Sequence, residues 1–120
     1  MGYRSDVAVM ITAENKENFK KYLEELKNDP LLKRLVSYGK MADNGRDGIR
    51  LNWESIKWYD TFGTFPEINA FEEWLDKIVE DEETSYHFVR IGEDLEDVEE
   101  NIEGDPKYWV YITRQLTPEF

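Results

Sequence analysis

The stretch DVAVMITAENKENFKKYLEELKNDP, residues 6–30, decides the fold class because it joins a buried strand directly to an amphipathic helix. Its first seven residues form a nearly continuous apolar run rich in Val and Ile, which is typical of a central strand. The helix is indicated by apolar residues at helical spacing, namely Phe19, Tyr22, Leu23 and Leu26. We expect Thr12 or Asn15 to cap its start and Asp29-Pro30 to end it, because the residue before a proline avoids helical geometry.

Residues 32–60 read as a long β-hairpin. The segments LKRLVSYGKM and GIRLNWESIKWYD flank two strong turn pairs, Asn44-Gly45 and Asp47-Gly48, in which Asn and Gly accept positive φ. In the second segment the apolar residues alternate from Ile49 to Trp53 and then change phase. This change of phase predicts a bulge near Glu54-Ser55.

A second helix and two further strands complete the predicted fold. The helix begins at Pro66, since proline favours the first helical turn, and its apolar residues are Ile68, Phe71, Trp74, Leu75 and Ile78. The segments TSYHFVRI (84–91) and KYWVYITRQL (107–116) read as strands. The order β-α-β-β-α-β plus a C-terminal strand predicts an α+β ferredoxin-like split β-α-β sandwich, in which helices cover one face of an antiparallel sheet. We expect a single domain over residues 1–120, with residues 116–120 as a flexible tail.

The composition predicts a folded, soluble protein of the cytoplasm. Of its 120 residues, 40% are hydrophobic and 14% are aromatic, whereas disordered acidic chains are poor in aromatic residues. The absence of cysteine excludes disulfides, thiolate nucleophiles and zinc–thiolate sites. No apolar run approaches the roughly 18 residues of a membrane span, and no signal-peptide pattern occurs.

Charge is distributed unevenly along the chain, whose net charge is −12. Residues 1–65 carry 11 Lys and Arg against 10 Asp and Glu, whereas residues 66–120 carry 4 against 17. This polarity predicts one acidic face or end. Such a face disfavours direct binding of nucleic acid or of an anionic membrane, and it favours a partner with a basic protein surface.

The acidic charge is densest in RIGEDLEDVEENIEGD, residues 90–105, which holds eight carboxylates and one cation. We predict a short helix here, with an apolar seam of Leu95, Val98 and Ile102 and with its carboxylates in solvent. Like charges at helical spacing repel each other, and a basic partner would relieve that repulsion, although an ordinary solvated helix is the alternative. The predicted partner-binding residues, including those of the second helix, are Glu93, Asp94, Glu96, Asp97, Glu99, Glu100, Glu103, Glu72, Glu73 and Asp76.

Aromatic residues are concentrated near the middle of the chain. Most of them are expected in the core, but those around the Gly-containing loop could form a hot spot or a platform for a small ligand. The predicted aromatic loop comprises Trp58, Tyr59, Phe62 and Phe65. If scattered cations converge on this loop, it could hold a nucleotide, and the cations that could do so are Arg4, Arg46, Arg50 and Lys57.

The sequence offers few groups for catalysis. The only histidine, His87, lies in a predicted strand, where a structural role is more common than a catalytic one. No nucleophile-elbow motif and no Gly-rich phosphate loop occur. Residues 43–54 partly match a calcium-binding loop, but Gly45 stands where a ligand side chain is needed, so a hairpin turn is favoured. We therefore predict a non-enzyme without a cofactor or a metal.

Three fragments together resemble a known family. MGYRSDV at the start, WESIKWYD at 53–60 and FVRIGEDLEDVEE at 88–100 are similar to segments of a family of small, mostly uncharacterised proteins encoded by tailed bacteriophages and prophages. The resemblance implies an accessory protein that acts inside a bacterial host cell. It favours host-takeover or anti-defence roles, in which small acidic proteins often block nucleic-acid-binding machinery.

Two functional hypotheses from different classes follow. The first is an acidic interaction protein that binds and inhibits a basic nucleic-acid-handling or defence protein of the host. The second is a binding module, or sponge, for a small molecule such as a nucleotide signal. A homodimer formed through the exposed edge of the last strand is a further alternative.

Overall fold

A computed structural model, which describes residues 4–59, 65–94 and 96–110, contains five strands and three helices. In chain order the elements are β1 (Ser5–Ala13), α1 (Lys16–Asn28), α2 (Pro30–Ser37), β2 (Lys40–Asp43), β3 (Gly48–Ile56), α3 (Pro66–Ile78), β4 (Thr84–Gly92) and β5 (Val98–Glu103). None of the described helices has the length and apolar character needed to cross a membrane.

The strands form one antiparallel sheet in the order β2-β3-β1-β4-β5. The prediction of an α+β fold with an antiparallel sheet is therefore confirmed. β1 pairs with β3 on one side and with β4 on the other, which confirms that the apolar run of residues 6–12 is a central strand.

The core lies between one face of the sheet and the helices. Alternate residues of β1, β3 and β4 supply the strand side of the core, among them Val9, Leu51 and Phe88. Apolar residues from all three helices pack against them. We call this face the helix side of the sheet, and we call the other face, which carries Met10 and His87, the outer side.

The first helix begins and ends where the sequence predicts. The Asn15 side chain caps α1 by accepting hydrogen bonds from the backbone N–H groups of Glu17 and Asn18. Thr12, the other candidate cap, is instead part of β1. α1 ends at Asn28, and the next residue, Asp29, has extended backbone geometry as expected before proline.

The prediction of a long hairpin over residues 32–60 is wrong in its first half. Residues 30–37 form the helix α2, which Pro30 starts in its first turn and which the Asp29 carboxylate caps through hydrogen bonds from two backbone N–H groups. Leu32 and Leu35 occupy the buried face of this helix. The local start signal at Asp29-Pro30 therefore outweighs the strand-like composition that follows it.

The turn and the bulge of the hairpin are confirmed. β2 and β3 are joined by residues 44–47, and the Asn44 side chain accepts hydrogen bonds from three backbone N–H groups of this turn. From Val7 to Ser5, β1 advances by two residues while β3 advances by three, and Ser55 adopts a φ of 54°. The extra residue therefore lies in β3 at the predicted place.

The acidic segment is a strand instead of the predicted helix. β5 pairs with β4 along its whole length, from Val98 opposite Ile91 to Glu103 opposite Tyr86. A helix would place like charges on neighbouring turns, whereas the strand places carboxylates beside cationic or hydrogen-bonding side chains of β4.

The predicted C-terminal strand is only partly within the described chain. Residues 107–110 are not a strand and lie against the outer side of the sheet, where the Lys107 N–H donates to Thr12 Oγ1. Residues 111–116 and the predicted tail at 116–120 are outside the described residues.

Candidate functional site

A buried arginine lies under the acidic segment. Arg90 is on the helix side of β4, and only 7% of its side chain is exposed. Its two terminal nitrogens donate to the two carboxylate oxygens of Asp97 at 2.8 and 3.2 Å, and its Nε donates to Glu99 Oε1 at 2.9 Å. A further hydrogen bond to Ser5 Oγ ties the guanidinium to β1. The two carboxylates thus neutralise the buried charge and fasten β5 to the sheet.

Tyr59 covers this ion-pair cluster. Its ring centroid lies 4.9 Å from Arg90 Cζ, and its hydroxyl donates to Glu99 Oε1 at 2.8 Å. Burial and the neighbouring Glu99 raise the pKa of Tyr59 to about 12, so the hydroxyl remains a donor at neutral pH. Burial alone would lower the pKa of Arg90, but its hydrogen bonds to Asp97 and Glu99 outweigh burial and raise that pKa above its usual value.

The outer side has a matching arrangement around His87. This buried ring accepts a hydrogen bond at Nδ1 from the Val110 N–H, at 3.0 Å, and its Nε2 lies 2.6 Å from Glu100 Oε2. Because Nδ1 is an acceptor, Nε2 carries the proton that is shared with Glu100. Trp109 packs on the ring with centroids 4.8 Å apart. His87 therefore joins β4, β5 and the segment 106–110, which is a structural role.

Two carboxylates of α3 gather beside Glu99 of β5, and unlike Glu99 they have no ion-pair partner among the described residues. Glu72 and Asp76 of α3 and Glu99 of β5 line a cleft of about 100 Å³ beside Tyr86. Burial, Glu99 and Asp76 raise the pKa of Glu72. Burial, with Glu103, Asp76 and Glu72 nearby, raises the pKa of Tyr86 to about 12. The structure thus brings the acidic helix and the acidic segment together, as the sequence predicts.

We define the acidic surface as Glu72, Asp76 and Glu103. Within the described part of the chain, none of these three carboxylates forms an ion pair or hydrogen bond. Two other predicted partner-binding residues, Glu73 on α3 and Glu96 in the turn before β5, have exposed side chains.

The remaining predicted partner-binding residues have contacts within the fold. Glu93 accepts a hydrogen bond from the Arg4 N–H, and Asp94 accepts one from the Glu96 N–H. Asp97, Glu99 and Glu100 hold the buried Arg90 and His87, as described above. The first role of Asp97, Glu99 and Glu100 is therefore to stabilise the sheet.

The predicted aromatic loop divides into different environments. Trp58 is fully buried and packs against Trp53, Phe71 and Phe88, so it presents no surface to a ligand. Tyr59 covers the Arg90 cluster, Phe65 is exposed just before α3, and Phe62 is outside the described residues.

A groove of about 340 Å³ lies beside Phe65. Two of the four predicted cations, Arg4 and Lys57, line this groove together with the exposed ring of Tyr38. The carboxylates of Glu54 and Glu67 line the same groove, which leaves it without an excess of positive charge. Arg46 and Arg50 are not part of it.

Arg50 lines a different groove, on the outer side of the sheet. This groove measures about 520 Å³ and includes Lys107, Tyr108 and Trp109. Lys107 and Tyr108 both bind the carboxylate of Asp47, at 3.0 and 2.7 Å. Hydrogen bonds from Asn44 and Tyr108, with a smaller contribution from Lys107, lower the pKa of Asp47 to about 2.

The partial match to a calcium-binding loop is a hairpin turn. Asp43 and Asp47 of this stretch bind backbone and side-chain groups of the turn itself. Within residues 4–59, 65–94 and 96–110, no group of three or more Asp, Glu or His side chains has the arrangement of a metal site.

Comparison with protein-family models, with curated proteins and with solved structures finds no match to this chain. The function is therefore argued from the surface itself. The sequence does not reveal the clusters around Arg90 and His87 when 93–105 is taken as a helix. One signal points to the Arg90 cluster: Arg90 is the single cation of residues 90–105, and it continues the alternation of Tyr86 and Phe88 within the strand.

Proposed function

We propose that this protein is an interaction protein whose acidic surface binds a basic surface on a partner protein. The observation that carries the proposal is the convergence of Glu72, Asp76 and Glu103 around Tyr86 without an ion-pair partner among the described residues. Holding like charges together disfavours folding slightly, and an external cation removes that penalty. The buried Arg90 cannot serve as that cation, because Asp97 and Glu99 already bind it.

The partner that fits this surface best is a protein that handles nucleic acid. Carboxylates spaced along a helix and a strand can replace the phosphates that such a protein normally binds. With the resemblance to phage accessory proteins, this supports inhibition of a host nucleic-acid-handling or defence protein in the bacterial cytoplasm. The charge of residues 66–120 also argues against direct binding of nucleic acid.

We further propose that the sheet is a ferredoxin-like split β-α-β core with β5 added at one edge. The order β2-β3-β1-β4, with every neighbouring pair antiparallel, supports this assignment. In such a core, β5 and α3 lie at the same end of the sheet order, which accounts for the position of the acidic surface.

The test is capture of partner proteins from nuclease-treated host lysate on the immobilised full chain. The acidic-surface variant carries Glu72→Gln, Asp76→Asn and Glu103→Gln. The matched control carries Glu17→Gln, Glu24→Gln and Glu54→Gln, which remove the same charge from exposed positions on α1 and β3. These variants leave Asp97, Glu99 and Glu100 in place, so the Arg90 and His87 clusters stay intact.

We expect the wild type and the control to capture the same basic protein, and the acidic-surface variant to lose it. Raising the salt from about 0.1 M to about 1 M shortens the Debye length from about 10 Å to about 3 Å, so the captured protein should be released. Equal capture by the acidic-surface variant, or a complex that resists salt, would contradict the proposal.

The groove beside Phe65 supports a second candidate, binding of a small anionic molecule such as a nucleotide. The observation in its favour is that Arg4, Lys57 and Phe65 line one cavity. The nearby Glu54 and Glu67 weaken the attraction for an anion, which places this candidate second. In a thermal-shift series, nucleotides should raise the melting temperature of the wild type. They should not raise that of the double variant Lys57→Gln/Phe65→Ala. If no nucleotide stabilises the wild type, this candidate is rejected.

A further inference from the structure

β5 lies at an edge of the sheet. It pairs with β4 on its inner side, and within the described residues no strand pairs with its outer side. The outer side of an edge strand presents backbone N–H and C=O groups that can pair with another chain. β5 is therefore a site at which a strand can be added.

The two edges of the sheet are protected differently. β2 has four residues and begins with Lys40, and short strands that carry Lys are poor templates for pairing. β5 has six residues, contains neither Pro nor a cation, and keeps an unbroken register with β4. Its outer side is therefore straight and long enough to receive another strand.

The side chains of β5 give each side of this edge a different character. Glu99, Asn101 and Glu103 point to the helix side, next to the other carboxylates of the acidic surface. Val98, Glu100 and Ile102 point to the outer side, where Glu100 binds His87 and where Val98 and Ile102 are 55% and 43% exposed. A strand added at β5 would therefore meet Glu99 and Glu103 on the helix side, and on the outer side it would meet the aliphatic Val98 and Ile102 beside the His87-bound Glu100.

Charge determines which strand can occupy the edge. A second copy of β5 would bring three carboxylates against three carboxylates, and like charges on adjacent strands destabilise pairing. A strand with Lys or Arg on the helix side would instead neutralise Glu103 and lie beside Glu99, which Arg90 already binds. The carboxylates thus exclude self-association and select a cationic strand.

We propose that β5 binds an extended basic segment of the partner as an additional strand. Lys or Arg at alternate positions of that segment would lie beside Glu99 and Glu103, and aliphatic residues between them would cover Val98 and Ile102. Backbone hydrogen bonds supply affinity in this mode, and alternate side chains supply specificity. The inference rests on the proposed function, and it specifies the mode of binding and the pattern that the partner must carry.

The experiment titrates the isotope-labelled full chain with a short peptide in which lysine alternates with valine. Binding is measured by calorimetry, and backbone amide exchange of residues 98–103 is followed by NMR. Two control peptides keep the same side chains but carry N-methyl groups on one or the other set of alternate residues. One of these two sets must face β5, so one control cannot donate its backbone hydrogen bonds.

We expect the lysine peptide to bind, the outward-facing β5 amides that β4 leaves unpaired to become protected, and one N-methylated peptide to lose about tenfold in affinity or more. Glu103→Lys should weaken binding of the lysine peptide and favour a peptide in which glutamate alternates with valine. The exposed Glu24→Lys, on α1, is the control for the change in charge and should leave this preference unchanged.

Three outcomes would overturn the inference. They are absence of binding, equal affinity for all three lysine peptides, and outward-facing β5 amides, those not bonded to β4, that are already protected before peptide is added. The last would mean that a second copy or another segment of this chain occupies the edge. The proposed function is decided separately, because loss of lysate capture by the acidic-surface variant does not require strand addition.

Discussion

Two sets of carboxylates lie within the same acidic region and have different roles. Asp97, Glu99 and Glu100 bind Arg90 and His87 on the two sides of β4, so they belong to the fold. Glu72, Asp76 and Glu103, the acidic surface, have no ion-pair partner among the described residues. Acidic composition alone therefore does not identify an interface, because some of the carboxylates form the internal contacts that hold β5 against β4.

The difference follows from the geometry of strands. Arg90 and His87 differ in position by an odd number of residues, so their side chains point to opposite faces of β4. On β5, Glu99 and Glu100 also point to opposite faces, and each meets one of these side chains. A variant in which all the carboxylates of β5 are replaced would therefore lose stability as well as partner binding, and the two effects could not be separated.

The largest expected effect is that of Arg90→Met, which removes the cation from the first set. The change leaves Asp97 and Glu99 close together without a counter-charge. Buried pairs of this kind lose roughly 3–5 kcal/mol when one partner is removed. Because the two carboxylates are 37% and 33% exposed, we expect about 2 kcal/mol, measured by urea unfolding. Arg50→Met, at an exposed position, is the control, and equal losses in the two variants would show that the cluster does not stabilise the fold.

A smaller effect is expected from Glu100→Gln, with Glu103→Gln as its matched control on the same strand. Glu100 accepts a hydrogen bond from the Nε2–H of the buried His87, whereas Glu103 is exposed and has no such contact. We expect Glu100→Gln to lower the free energy of unfolding by about 1 kcal/mol and Glu103→Gln to change it little. Trp109 packs on His87, so tryptophan fluorescence should respond only to the first variant. If both variants behave alike, the division into two sets fails.

The pH dependence of stability should separate internal carboxylates from exposed ones. In the folded protein, the pKa of Asp47 is about 2, below its usual value of 3.8. Its ionised form therefore stabilises the fold at neutral pH, and that stability is lost as the pH falls from about 4 to about 2. Asp47→Asn should be less stable at neutral pH and should lose less on acidification. Urea midpoints measured across this pH range test the prediction, with Glu24→Gln as the control. If the wild type and Asp47→Asn lose stability in parallel, the prediction is wrong.

The sequence predicts those elements whose signals are local. The central strand, the caps of α1 and the bulge at Ser55 follow from an apolar run, from Asn15 and Asp29, and from a change of alternation. The signal for the start of α2 is equally local, since Asp29 both ends α1 and caps α2. The residues that follow have a strand-like composition, and for that reason the prediction of a strand there is wrong. Fold class and antiparallel pairing are thus readable without structure.

The acidic site is only partly predictable, because its contacts join residues distant in sequence. The convergence of α3 and residues 99–103 follows from charge polarity. The binding of Arg90 by Asp97 and Glu99 depends on β5 being a strand, and the spacing of Val98 and Ile102 fits one face of a helix as well as one face of a strand. Tertiary pairing with β4 decides between the two, and no local pattern reports it.

The smallest expected effect is a gain of stability on Glu72→Gln. Burial, together with Glu99 and Asp76, raises the pKa of Glu72, so the folded state binds this proton more tightly than the unfolded state. Ionisation of Glu72 therefore opposes folding as the pH rises above 4.5, its usual pKa, and the amide avoids this loss.

We expect Glu72→Gln to unfold with a free energy higher by a few tenths of a kcal/mol at neutral pH, and to match the wild type below its usual pKa. Added salt should reduce the gain, because it screens the same repulsion. Thermal unfolding at two pH values, with Glu24→Gln as the control, measures the effect. A loss of stability at neutral pH would mean that Glu72 has a cationic partner within the protein, and the acidic surface would then lose one of its three members.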